Sequence, residues 1–242
     1  MGRPFDDGER GDGQSGHPLE SPLWHALGGS LAPHCRPVGD VRFLDPEFGV
    51  VAAMDHVTPA NLAVVASGTA PGSEMVIIAP EPAEDTEGLE LIKVVPLQQM
   101  VAEHPVMVEP AVRVVELSVA DLPQMLALVD ITRPGPLGPR SFELGGFRGI
   151  FDGDRLVALA GTRLQFDDLT EVSTVCTHPD YRGRDYAKAV VSTVMQAIVN
   201  SGRRPFLGVN ADNLPAIRLY ERLGFAPTRM LHISTVRRRP RA

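Results

Sequence analysis

The stretch HPDYRGRDYAKAVV, His178 to Val191, decides how the fold is read. It opens with turn chemistry at Pro179, crosses charged and small residues, and ends as an apolar-periodic helix. The first amides of a helix have no intrahelical acceptor and lie at the positive end of its dipole. A short basic loop that opens a helix is therefore a seat for a phosphate. Arg182 and Arg184 add charge-assisted donors, and Gly183 lets the backbone approach closely. Asp185 is discordant, because it sets a carboxylate where the anion would land. Taken alone, an exposed arginine-rich turn explains the loop as well as a phosphate site does.

Working outward, EVSTVCTHP (Glu171 to Pro179) is a strand stopped by proline, and a helix runs from about Asp185 to Asn200. Its apolar face is Ala187, Val190, Val191, Val194, Met195, Ile198 and Val199. RPFLGVN from Arg204 is a strand, LPAIRLYERLGF from Leu214 a helix closed by Gly224, and RMLHISTV from Arg229 a last strand. Upstream, AVRVVELSVADLPQMLALVDIT from Ala111 is a strand and a helix with Ser118 as the expected cap. RPGPLGPRS from Arg133 is a loop, and the next two strands turn at Asp152-Gly153-Asp154. From Ala111 the order is β-α-β-β-β-α-β-α-β. That is an α/β (α+β) class, a mixed and mostly antiparallel sheet flanked by helices.

Two motifs in this order resemble the GNAT acetyltransferase superfamily. Its loop [R/Q]-x-x-G-x-[G/A] reads here as Arg182-Gly183-Arg184-Asp185-Tyr186-Ala187, with Asp185 at the inner glycine position. Its second motif, N-x-x-A-x-x-[L/F]-Y-x-x-x-G-F, reads as Asn213, Ala216, Leu219, Tyr220, Gly224 and Phe225. The resemblance spans about residues 111–235 and is nearest a bacterial branch with an extra N-terminal half. It implies acetyl-CoA as co-substrate, an amine acceptor of a small molecule or peptide, and direct attack in a ternary complex. Pantetheine would pair with the backbone around Val175, Cys176 and Thr177, and the loop from Arg182 to Ala187 would hold the pyrophosphate. Asn213 and Ala216 would also contact the cofactor, although Asn213 serves equally as a helix cap.

Tyr220 is the expected general acid for the departing thiolate, since phenol and thiol pKa values lie close together. Glu171 is the expected base, ahead of Asp167, Asp168 and His178. A second reading keeps the same fold as an acyl-CoA-sensing or protein-interaction module without turnover, and Asp185 motivates it.

Residues 1–20 are polar and glycine-rich and are expected to be a disordered arm. Residues 21–110 read as a smaller α/β region, possible as a degenerate half of the same fold. It starts with a helix capped by Ser21 and carrying Trp24, a core anchor. LELIKVVPLQQMVAEH from Leu89 reads as a strand with a helical turn. Residues 111–242 form the expected transferase domain.

The net charge of −7 argues against nucleic acid as the main partner, and the basic C-terminal VRRRPRA reads as a solvated tail. Two distant cysteines and scattered histidines give no metal-ligand spacing, so no metal is expected. With no signal-peptide pattern and no apolar run of membrane length, no membrane partner and a cytoplasmic location are expected. A monomer and a homodimer are both open.

Overall fold

The structure, a computed structural model, describes residues 17–135 and 138–240. Its strands are β1 (Cys35–Val38), β2 (Val41–Leu44), β3 (Val51–Met54), β4 (Glu74–Ala79), β5 (Leu89–Val101), β6 (Val115–Glu116), β7 (Phe147–Asp152), β8 (Arg155–Phe166), β9 (Leu169–Thr177), β10 (Arg204–Asn210) and β11 (Ala226–Arg238). Its helices are α1 (Pro22–Gly28), α2 (Pro59–Gly68), α3 (Leu122–Thr132), α4 (Tyr186–Asn200) and α5 (Leu214–Arg222). All eleven strands join one sheet in the order β1-β2-β3-β4-β11-β5-β10-β9-β8-β7-β6. The pairs β3–β4 and β9–β10 are parallel and the others antiparallel, which is the mixed sheet the patterning implies. From β6 to β11 the element order is the one expected from Ala111 onward. No described helix is long and apolar enough to cross a membrane.

The segments 21–110 and 111–242 share this sheet, because β5 lies between β10 and β11. It pairs antiparallel with both, Phe206↔Val101 to Asn210↔Leu97 on one side and Ala226↔Val101 to Arg238↔Leu89 on the other. The expected helical turn in this segment is absent, since two flanking strands hold the backbone extended. Pro96 costs no ladder bond to β10, whose last rung is Leu97.

Alternation along the central strands sends side chains to two cores. Met100 and Leu207 pack with α4 and α5, while Val101 and Phe206 pack with α1. The helix α3 covers Leu156, Leu159 and Phe147. On α4 the buried set is Ala189, Val190, Val191, Ser192, Val194, Met195 and Ile198, with Ala187 and Val199 at its margin. α2 is capped by Thr58, whose hydroxyl accepts from Asn61 N–H at 3.1 Å. Ser118 shares its N–H and hydroxyl with the Asp121 carboxylate just before α3. Ser21 does not cap α1, because its hydroxyl donates instead to the Asp55 carbonyl at 3.2 Å. Trp24 packs against the α1 core, and the Arg42 guanidinium lies 3.5 Å from its ring centre.

The described residues near both ends are packed more closely than composition suggests. Residues 1–16 of the expected arm lie outside the described residues, but Leu19 is buried and Glu20 pairs with Arg229 at 2.8 Å. The basic C-terminus is no free tail either. Arg237 pairs with Glu74 and Glu90, Arg239 with Asp85, and Arg238 donates to the Gly88 carbonyl. Opposite charge on β4, β5 and their loop turns this run into the end of β11, while Arg241 lies outside the described residues.

Gly224 ends the last helical turn at φ +89°, where a Cβ would press on the His104 carbonyl oxygen and lie 3.1 Å from Val106 N. Backbone on that side cannot rotate away as a side chain would. Gly224→Ala is expected to lower unfolding free energy by about 2 kcal/mol or more, read by urea denaturation.

Candidate active site

The site begins where two strands part. β9 and β10 share three parallel rungs, Arg204↔Leu169, Pro205↔Thr170 and Phe206↔Glu171, and pair no further. β9 stays bonded to β8 up to Thr177, and β10 to β5 up to Asn210. Each strand thus keeps its outer partner, while Val172–Thr177 and Leu207–Asn210 face an open fork in mid-sheet. Backbone donors and acceptors there have no ladder partner and must be met from outside the strands.

The parting is reinforced by a bulge. Between the rungs Leu159↔Cys176 and Gly161↔Ser173, the two residues Thr174 and Val175 oppose Ala160 alone. Thr174 sits at φ +54°, a conformation that costs a β-branched residue roughly 1–3 kcal/mol. Beyond it, the Thr177 hydroxyl is buried without a partner among the described residues. Cys176 points the other way, into the α3 core, and burial pushes its thiol up to about 11, which leaves it no nucleophile.

Above the fork lies the loop read first in the sequence. After a 3-10 turn at Pro179–Tyr181, Gly183 adopts φ +75° and Asp185 φ +57° before α4 starts at Tyr186. The amides of Gly183, Arg184 and Asp185 have no acceptor among the described residues. Asp185 makes no side-chain cap, and the first amides of α4 are therefore uncapped as well. The Asp185 carboxylate is exposed and pairs with no cation among the described residues, its neighbours Arg182 and Arg184 included. What suits a glycine to this position is its left-handed backbone, and aspartate is among the few other residues that tolerate it. Tyr181 braces the loop: its hydroxyl donates to Asp152 at 2.6 Å, its ring stacks near Tyr186, and Arg184 lies over it at 4.9 Å. His178 is buried at the base of the loop and accepts at Nε2 from Arg155 at 2.7 Å.

On the α4 side, Tyr220 of α5 is 7% exposed and meets Phe225 edge to face. It belongs to the core that holds Val172, Leu207 and Val209, the residues lining that side of the fork. Burial pushes its phenol up to about 12. The Asn213 side chain accepts from Ala216 N–H at 3.3 Å, so in this protein it caps α5.

The opposite face holds Glu171, the last paired residue before the fork. Its two carboxylate oxygens accept from Arg163 Nε and Nη2, each at 2.9 Å. Burial opposes the guanidinium charge, and the Glu171 carboxylate more than restores it, raising the Arg163 pKa. Glu171 and Arg163 line a cavity of about 40 Å³ together with Gln99, Phe206, Leu23 and Leu97. Asp167 and Asp168 lie away from it, in the β8–β9 turn, and Asp168 is engaged by Arg204 at 2.6 and 3.1 Å. The Arg204 hydrogen bond holds the Asp168 carboxyl below its usual range.

Arg163 and Gln99 are the site residues that motif reading passes over. A lone arginine within the apolar strand LVALAGTRLQF was the available signal for the first. Nothing marks Gln99 before β5 is known to flank the fork. Among the described residues no three His, Cys, Asp or Glu side chains are grouped to hold a metal.

Comparison with known proteins agrees with this geometry. Residues 147–232 match the family model described as FR47-like protein. A solved structure from Novosphingobium aromaticivorans, described as an acetyltransferase of the GNAT family, is 37% identical. The alignment covers 92% of this chain and 99% of that one, with a TM-score of 0.86. A GCN5-related N-acetyltransferase from Kribbella flavida shares the fold at 18% identity and TM-score 0.60, over 89% and 95% of the two chains. Two curated relatives are named mycothiol acetyltransferase. The one from Corynebacterium efficiens is 38% identical over 77 residues, 31% of this chain and 26% of its own. The one from Actinosynnema mirum is 36% identical over 87 residues, 35% and 29% respectively. The match thus spans less than a third of the length of those curated relatives. The near-complete coverage of the Novosphingobium protein, together with the forked strands and the loop that opens α4, places the chain in the GNAT family of acetyltransferases.

Proposed function

We propose that this protein is an acetyl-CoA-dependent N-acetyltransferase that joins the acetyl group to an amine by direct attack, and the fork between β9 and β10 carries this reading. The chain's residues fit the cofactor. An extended pantetheine arm suits strand edges with unmet backbone groups at Val175, Cys176 and Thr177, and the unpartnered Thr177 hydroxyl faces a missing acceptor or donor. The free amides from Gly183 to Ala187, with Arg182 and Arg184 beside them, suit a pyrophosphate. Acetyl-CoA supplies the acetyl group as an activated thioester.

The backbone amide near Val175 polarises the acyl carbonyl, held in place by the bulge at Thr174. Tyr220 keeps its proton across the physiological range, which suits it to protonate the leaving sulfur. Glu171 accepts one N–H on each oxygen from Arg163, and a lone pair on each oxygen is left to receive the amine and its proton. Residues 111–242 are proposed as the transferase unit, with 21–110 completing the sheet and walling the acceptor side. The sensor alternative rested on Asp185. An exposed carboxylate that leaves the loop amides free favours the enzyme.

Acetyl-CoA at about 100 times its Kd is expected to raise Tm by about 5 °C or more in a thermal-shift assay. Tyr220→Phe is expected to cut kcat by about 10²-fold or more while CoA affinity stays within about threefold. Because the phenol is shifted up to about 12, the alkaline limb it contributes to the kcat–pH profile lies above pH 10, where an unshifted tyrosine would already have lost its proton.

Asp185→Gly is expected to leave CoA affinity within about threefold, as an outward carboxylate requires. Asp185→Val is expected to destabilise the fold by about 1–2 kcal/mol, since a branched side chain resists φ +57°. Calorimetric titration with CoA and urea denaturation read the two effects.

A further inference from the structure

Resting on the transferase reading above, we propose that the acceptor is a small primary amine on an unbranched aliphatic stem. Its amine end enters the cavity under the fork, and the rest of the stem lies along the neighbouring sheet face. The cavity is on the face opposite α4 and α5, and both arms of the fork border it, Glu171 on β9 and Gly208 on β10.

The cavity's side chains are apolar except at Arg163, Glu171 and Gln99. Two of these three are acceptors with room for a donor. Arg163 takes one lone pair on each Glu171 oxygen and leaves the others free. Gln99, on β5, is 2% exposed, and its side-chain oxygen has no partner among the described residues. A buried acceptor without a donor is costly unless a ligand supplies one. An amine carries several N–H groups on one atom and can serve both acceptors, whereas a carboxylate or carbonyl brings none.

Size decides what the nitrogen is attached to. About 40 Å³ is room for about three water-sized groups. An amine nitrogen and two methylenes fill it. When the carbon that bears the amine is branched, a fourth group is needed at the same depth, and the carboxylate of an amino acid needs more. Gly208 has no slack to offer, because a Cβ there would already lie 2.9 Å from the Leu97 side chain. Only the slim end of an acceptor is therefore admitted.

Beyond the cavity the same face continues as an apolar strip. Leu231 pairs with Leu97, and both line the cavity. Two residues further along the strands, Ile78, Ile233 and Val95 stand side by side on one rung, all half-buried. These side chains offer contact to methylenes and no hydrogen bond. A peptide laid across them would bring backbone N–H and C=O groups that the strip cannot meet, so the fitting occupant is a free alkylamine and not a lysine within a protein.

The test compares n-pentylamine with its isomer 3-aminopentane, with L-norleucine and with the methylamide of Nα-acetyl-lysine, all on the full chain. Thiol release from acetyl-CoA gives kcat/KM, and calorimetric titration without acetyl-CoA gives affinity. n-Pentylamine is expected to exceed each of the other three by at least about tenfold in both measures. Gln99→Leu is expected to fold with an unchanged or raised Tm and to lose at least about tenfold in n-pentylamine affinity, while its CoA-induced thermal shift stays at the wild-type value. Leu97→Ala, which widens the cavity, is expected to bring 3-aminopentane within about threefold of n-pentylamine. Equal use of any of the three comparison amines, no binding of n-pentylamine, or an unaffected Gln99→Leu overturns the proposal. The transferase reading fails separately, by the absence of any CoA-induced shift in the wild-type protein.

Discussion

Everything in this protein is arranged around a ladder that stops after three rungs. In mid-sheet, adjacent strands ordinarily satisfy one another, and each unmet backbone group inside a fold costs free energy comparable to a lost hydrogen bond. β9 and β10 nevertheless part after Phe206↔Glu171. The gap does not close because each strand is pinned on its far side, β9 by the long β8 hairpin and β10 by β5. The left-handed residue Thr174 adds an extra residue to β9 at the height where the parting begins. The strained bulge and the open fork are one feature seen in two places.

The fork also sorts chemistry by face. Tyr220, the loop that opens α4 and the small side chains Ala189 and Val172 belong to one side. Glu171, Arg163 and Gln99 belong to the other, under α1 and the N-terminal strands. An opening through the sheet brings groups that never share a core to the two sides of one gap. The N-terminal segment thus contributes more than cover, since β5 supplies Gln99 and holds β10 away from β9.

The elements from Ala111 onward were legible because their signals are local. Pro179 stops a strand, Gly224 closes a helix, and the period of α4 changes where the loop ends. The same locality explains what stayed hidden. The basic C-terminal run looked like a tail because its partners, Glu74, Glu90 and Asp85, are about 150 residues away. Leu89–Val101 showed its strand but not its neighbours, and its neighbours are what make Gln99 a site residue. Asp185 was read as an electrostatic flaw because charge is visible in a sequence and φ is not. With the backbone in view, it is a left-handed position filled by a tolerated substitute.

The position of β11 has a consequence for how the chain acquires its structure. This strand, made after the others, lies between β4 and β5, which are made within the first half, and it pairs with β5 along nearly all of its length and with β4 over residues 232–237. Until residues 226–238 emerge, β4 and β5 each present an unmatched edge, and apolar side chains such as Ile77 and Leu89 have no finished core. Closure of the sheet must bridge well over 100 residues, a separation that slows folding and lengthens the life of sticky intermediates. Synthesis therefore cannot deliver this protein one half at a time. A chain stopped before residue 226 lacks the strand that joins β4 to β5 and keeps both edges exposed.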